Sequence, residues 1–274
     1  MEVFRFRAGK SPLLVSLPHA GTHVPQDLLE RMTPVAARLD DTDWHVDRLY
    51  DFLDDLDASV LAATHSRYVV DLNRPPDDSN LYPGQDTTGL VPVDTAARER
   101  LYPQGSDPDS SEIARRVDRY WRPYHERLVT GLSRLRAVHG FALLWDAHSI
   151  ASVLPRFFEG RLPDLNLGTV NGRSCDAGVG ERLLEVARSA SAYSSVLNGR
   201  YVGGYITRRY GAPHEGILAV QLELAQRTYM DELLPPYHFR EDLAERLRPL
   251  LRSLLEEFLH WVPKNRDRPR FPVN

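Results

Sequence analysis

Two histidines stand where a run of apolar chain stops. Leu13-Leu14-Val15-Ser16-Leu17 runs into Pro18-His19-Ala20-Gly21, and Phe141-Ala142-Leu143-Leu144-Trp145 runs into Asp146-Ala147-His148-Ser149. Imidazole is the commonest metal ligand and titrates closest to neutral pH. One histidine of this kind is ordinarily a turn cap. A second at the equivalent place tips the reading toward a shared metal ion, with His19 as its first ligand. Asp146 lies two residues before His148, on the same face of an extended chain, where it can orient the ring from behind. Six acidic side chains also crowd into residues 40–54. An acidic helix start accounts for part of that crowding, but it is costly unless a cation or arginines sit beside it. Two histidines, one carboxylate and an open fourth position form a hydrolytic zinc pattern.

Other polar residues fall at similar places. The stretch 214–224, His-Glu-Gly-Ile-Leu-Ala-Val-Gln-Leu-Glu-Leu, reads as a central strand with Gln221 and Glu223 on the face opposite Val220, Leu222 and Leu224. A carboxylate on a buried strand needs a partner. Glu223 is therefore either paired with an arginine or a general base beside an activated water. Residues 67–76 read as a strand that Pro75 and Pro76 stop, delivering Asn73 and Arg74 to its end. A guanidinium donates two parallel hydrogen bonds to a carboxylate, which sets Arg74 as a ligand group against an ordinary surface ion pair. His125 and His139 fall in or after a long helix and read as packing or capping residues. No His-Glu-x-x-His and no Gly-x-Ser-x-Gly occurs, against a helical metalloprotease and a serine hydrolase.

These residues need a scaffold that gathers strand ends. Strands are expected at 13–17, 59–64, 67–76, 141–149, 164–169, 195–197 and 214–224. Helices are expected at 33–39, from about 43, at 110–138 closed by His139-Gly140, up to about 191, and at 240–261 with a bend at Pro249. Continuous apolar strands alternating with helices indicate an α/β domain, whose ligands bind beyond the carboxyl ends of its strands. The expected architecture is one three-layer domain over 1–274, with a mixed, mostly parallel sheet and helices on both faces. Segment 77–108, rich in Gly, Pro, Asp and Thr, is expected to be a lid or pocket wall, and 264–274 a basic tail. With 274 residues and 42% hydrophobic content the chain can bury a large core. A net charge of −4 advertises no polyanion surface, whereas arginines near strand ends suit a small acidic ligand. The single Cys175 excludes an internal disulfide framework. Nothing resembles a leader or a membrane span, so a cytoplasmic protein without membrane or nucleic-acid partner is expected.

Six motifs, in order, resemble the N-formylglutamate deformylase (amidohydrolase) family: Ser16-Leu17-Pro18-His19-Ala20-Gly21, Asp41-Thr42-Asp43-Trp44-His45-Val46-Asp47, residues 66–75, Asp146-Ala147-His148-Ser149, residues 198–208, and Gln221-Leu222-Glu223-Leu224. The resemblance covers residues 5–260. It implies a zinc-carboxypeptidase-like (phosphorylase/hydrolase-like) α/β fold and hydrolysis of N-formyl-L-glutamate, the last step of a histidine-degradation route. The family's His, acidic and His ligands map onto His19, Asp43 and His148, with His45 and Asp47 as rivals to Asp43. The cation is expected to be Zn2+, with Co2+, Mn2+ or Fe2+ as alternatives. The implied mechanism has a zinc-activated water with Glu223 as general base, and Arg67 or His214 as donor to the oxyanion. Asn73, Arg74 and Arg208 would clamp the two carboxylates of a small dianionic acyl-amino acid. The alternatives are a zinc amidohydrolase or carboxypeptidase for another N-acyl amino acid or peptide, and a non-catalytic protein that binds an acidic metabolite.

Overall fold

The computed structural model describes residues 1–261; the expectation for 264–274 lies outside them. Seven strands form one sheet: β1 (Phe4–Arg7), β2 (Leu13–Leu17), β3 (Ser59–Ala63), β4 (Ala142–Ile150), β5 (Leu165–Gly168), β6 (Ser195–Leu197) and β7 (Ile217–Ala225). Their order is β1-β3-β2-β4-β7-β5-β6. The central β3, β2, β4 and β7 run parallel, β1 is antiparallel to β3, and β5 is antiparallel to β7 but parallel to β6. All of β2 and nearly all of β4 and β7 are buried, which is why their sequences are apolar without alternation.

The helices are α1 (Gln26–Leu29), α2 (Val46–Leu49), α3 (Ser110–Arg116), α4 (Arg122–His139), α5 (Ala177–Ser189), α6 (Tyr205–Tyr210) and α7 (Glu241–His260). Side chains of one sheet face, among them Val15, Trp145, Val220 and Leu222, pack with Leu183 of α5 and Leu251, Leu254 and Phe258 of α7. The opposite face, with Leu14, Leu144 and Ala219, packs with Tyr124, Leu128 and Leu132 of α4 and Ile206 of α6. The result is the three-layer arrangement. Between α3 and α4 lies one π-helical turn, Val117–Trp121, so the expected long helix is nearly continuous. Asp109 caps its start by accepting from the Glu112 N–H at 2.8 Å, and Gly140 ends it in the left-handed region at φ 79°. No described helix is long and apolar enough to cross a membrane.

Two expectations need correcting. Segment 67–76 is not a strand but a buried irregular stretch, with a turn closed by Val69 N–H on the Ser66 carbonyl at 2.9 Å. Its apolar residues, Tyr68, Val69, Val70 and Leu72, are buried without a neighbouring strand. Likewise, the strand predicted from His214 begins only at Ile217, because Pro213–Glu215 forms a 3-10 turn.

Candidate active site

Asp146 and His148 of β4 stand in register with Gln221 and Glu223 of β7. The four polar side chains therefore share one face at the carboxyl ends of adjacent parallel strands, about 4.8 Å apart. His19 follows the end of β2, the other neighbour of β4. The loop beyond it can turn back only because position 21 is glycine, since a Cβ there would lie 2.3 Å from the His65 carbonyl oxygen. Asp43 arrives from a non-repetitive segment. Its N–H donates to the His19 carbonyl at 3.1 Å, while Gln226 and Tyr229 hold the carbonyls of Thr42 and Trp44 at 3.0 and 2.9 Å.

His19, Asp43 and His148 are buried and each place a ligand atom within 4.8 Å of the others. Asp43 Oδ2 lies 3.1 Å from Nδ1 of His148 and 3.8 Å from Nδ1 of His19. The outer nitrogens face carboxylates: His19 Nε2 is 2.7 Å from Asp71 Oδ1, and His148 Nε2 is 3.1 Å from Asp146 Oδ2. Each ring is held from behind while its Nδ1 faces the cluster, the arrangement that orients metal-ligating histidines. Asp43, Asp71, Asp146 and Glu223 are all buried. Against these four carboxylates stand Arg67, 2.5 Å from Asp71 Oδ2, and Arg74, 4.0 Å from the same oxygen. Carboxylates therefore outnumber guanidinium groups at the cluster, an imbalance that a bound divalent cation would offset. Asp146 Oδ1 is also left without a hydrogen-bond partner among the described residues. Two imidazole nitrogens and a carboxylate suit a borderline cation such as zinc, so the residues fit the expected metal. The rivals to Asp43 lie elsewhere: His45 Nε2 is 2.6 Å from the Tyr237 carbonyl, and Asp47 pairs with Arg5.

Burial opposes a charge on His148, but the Asp146 and Asp43 carboxylates outweigh it and hold this imidazole well above its ordinary pKa. In His19, burial and the Arg67 guanidinium prevail over Asp71 and Asp43, and its pKa is lowered. Burial pushes the Glu223 carboxyl up to about 8, with Asp43 adding and His148 and Arg67 opposing. A cation at the cluster would compete with the His148 proton.

A pocket opens at this cluster, lined by His19, His148, Glu223, Arg67, Arg74 and Arg200 and walled by Tyr82, Asp86, Thr87 and Thr88 of segment 77–108. The segment is thus a pocket wall. Asn73 also lines the pocket, but its side chain is already engaged. Nδ2 lies 2.9 Å from His148 Nε2 and 3.4 Å from Asp146 Oδ2, and Oδ1 accepts from Ile206 N–H at 2.8 Å. It is a strut for His148. Trp121, in the π-helical turn, donates to the Arg74 carbonyl at 3.0 Å, and His125 Nε2 is 2.9 Å from the Leu72 carbonyl, so both flank Asn73.

His214 must be withdrawn as an oxyanion donor. Its side chain is 81% exposed and precedes β7, whereas Glu223 lies near the strand's other end. Arg208 does not line the pocket; its Nε donates to the Gly203 carbonyl at 2.8 Å and its guanidinium lies 5.1 Å from the Tyr82 ring centre. Arg200 lines the pocket instead, with Nε on the Phe157 carbonyl at 2.6 Å. Asp71 and Arg200 are further functional candidates, which the sequence alone does not single out. A carboxylate four residues from Arg67 was the available signal for Asp71.

The chain matches the family model described as N-formylglutamate amidohydrolase over residues 11–230. It is 51% identical to N-formylglutamate deformylase of Pseudomonas putida, covering 95% of this chain and 97% of the other. Identity to N-formylglutamate deformylase of Pseudomonas aeruginosa PAO1 is 52% with the same coverage. The crystal structure of N-formylglutamate amidohydrolase from Ralstonia eutropha JMP134 superposes with a TM-score of 0.78 at 26% identity, covering 93% of this chain and 98% of that one. A gene product of Agrobacterium tumefaciens shares the fold at 21% identity, with a TM-score of 0.72 over 94% of this chain and 95% of that one. With half of its residues identical to curated relatives over almost their full length, the chain belongs to the N-formylglutamate amidohydrolase family.

Proposed function

We propose that the protein hydrolyses N-formyl-L-glutamate to formate and L-glutamate, the last step of a histidine-degradation route. His19, Asp43 and His148 would hold a divalent cation, zinc by the nature of the ligands. The observation that carries this reading is Glu223, a buried carboxylate in register with His148, inside a pocket that also presents Arg67, Arg74 and Arg200. The bound cation supplies Lewis acidity and eases the ionisation of water. Glu223 accepts the water proton as the water oxygen adds to the formyl carbon. It then returns that proton to the amide nitrogen as the C–N bond breaks. Arg67, fixed by Asp71, supports the charge developing on the formyl oxygen. Arg74 and Arg200 receive the substrate carboxylates through charge-assisted hydrogen bonds. Asp71, Asp146 and Asn73 act through the two imidazoles, which they hold in place.

Formate release from N-formyl-L-glutamate tests the proposal, measured on zinc-loaded and chelator-treated protein beside N-acetyl-L-glutamate, N-formyl-L-methionine and a short peptide. Release that chelation abolishes and zinc restores is expected. Metal-loaded protein that releases no formate overturns it. Cleavage confined to another acyl-amino acid would favour the wider amidohydrolase reading.

A further inference from the structure

Beside the reaction pocket lies a second cavity of about 500 Å3. Arg67, Thr88, Ser149, Ile150 and Phe157 line both spaces and form their junction. His19, His148, Glu223, Arg74 and Arg200 line only the first. Charged groups around the second are satisfied within the chain. Arg38 pairs with Asp40 at 2.6 Å and with Glu99, and Asp41 accepts the Ala96 N–H at 2.9 Å. Glu232 accepts the N–H groups of Ser152 and Arg227, each at 2.9 Å. Its apolar wall is built from Ile150, Ala151, Leu154, Leu233, Leu234 and Pro235. Leu233 and Leu234 are 86% and 77% exposed, neighbouring leucines left in water beside a cavity. They set apolar side chains in water at the edge of the cavity, where a bound alkyl chain would cover them.

We propose that this cavity receives the acyl chain of N-acyl-L-glutamates longer than formyl, making the protein an acylase for short- and medium-chain N-acyl-glutamates. The inference rests on the reading of the first pocket as the glutamate and reaction site. Arg67, the group assigned to the formyl oxygen, stands at the junction. Arg74 and Arg200, assigned to the glutamate carboxylates, lie away from it. The formyl carbon, held through its oxygen at Arg67, therefore lies at the junction, and an alkyl chain in place of its hydrogen has the apolar space of the second cavity within reach. The reaction needs nothing new. Water adds to the acyl carbon, the C–N bond breaks, the proton passes to nitrogen, and a fatty acid leaves in place of formate.

The test measures N-acetyl-, N-butanoyl- and N-hexanoyl-L-glutamate on zinc-loaded protein, both as substrates and as competitors of N-formyl-L-glutamate. Burial of each methylene should lower the competition constant about fourfold. Hydrolysis of the hexanoyl compound, seen as release of hexanoate, is expected alongside. Ala97→Trp, at an exposed position that lines only the second cavity, should remove the dependence on chain length and keep N-formyl-L-glutamate cleavage within about twofold. Ala151→Trp is a second filling variant with the same expectation. Competition constants that stay flat or rise with chain length, while N-formyl-L-glutamate is still cleaved, overturn the acyl-chain assignment alone. Tight competition without hydrolysis overturns the acylase activity. Absence of N-formyl-L-glutamate cleavage removes the reading beneath both.

Discussion

Replacing Glu223 with Gln removes a proton acceptor while conserving volume at a site where nothing else changes. Glu223 is 7% exposed, and its carboxylate has no hydrogen-bond partner among the described residues, so the amide breaks no existing contact. Loss of a general acid–base lowers turnover by roughly 10²–10⁴-fold. Zinc affinity should stay close to that of the parent, because the ligand atoms are untouched. A second consequence concerns stability. In the metal-free chain, burial raises the Glu223 pKa from 4.5 to about 8. The folded state therefore keeps the protonated form, and stability present below pH 4.5 is lost as pH rises toward 8. At about 1.4 kcal/mol per pKa unit, the loss is at most about 5 kcal/mol by the alkaline end of that window. Gln carries no such loss. Urea denaturation of chelator-treated proteins should show Glu223→Gln matching the parent at pH 5 and exceeding it at pH 8, with formate release slow throughout. Near-parental turnover would refute the base assignment, and a stability difference independent of pH would refute the electrostatic argument.

Asp71→Asn should weaken zinc binding about 10–100-fold by loosening His19, seen in competition with a metal indicator; unchanged affinity would count against the orienting role. Arg74→Ala should raise the KM for N-formyl-L-glutamate about 10–100-fold with kcat little altered, the signature of a lost charge-assisted contact to the substrate. An unchanged KM would leave Arg74 as a partner of Asp71 alone. Gly204→Ala would bring a Cβ to 2.4 Å from Asn73 Nδ2, so the amide must leave His148 and Asp146. Activity and zinc affinity should both fall with the circular dichroism spectrum retained, and parental values for both would contradict the strut.

The central strands were readable because Leu13–Leu17, Ala142–Ile150 and Ile217–Ala225 are covered on both faces, and the sequence shows it as unbroken apolar runs. The polar residues that interrupt such runs near their carboxyl ends, Asp146, His148 and Glu223, could be found by that contrast. For His214 the same adjacency points the wrong way: a residue before a parallel strand sits at the end away from the site. Segment 67–76 misled for another reason. Its apolar residues are buried in irregular chain held by single hydrogen bonds, such as Asp71 N–H to the Leu90 carbonyl at 2.7 Å, and no local period records them. That concealed Asp71. Arg200 was hidden because only the fold brings its loop to the pocket. The place of Asn73 beside Arg74 suggests a substrate group, and only the folded contacts with His148, Asp146 and Ile206 show the amide engaged.

The proposed hydrolysis depends on one cation shared by His19, Asp43 and His148. Zinc content measured by mass spectrometry after stripping, reloading and desalting addresses this directly, with His148→Ala and Asp43→Ala run beside the parent. One tightly held zinc per parent chain, lost from both variants while they remain folded, is the expected result. A parent that retains no metal, or variants that retain as much as the parent, would contradict it.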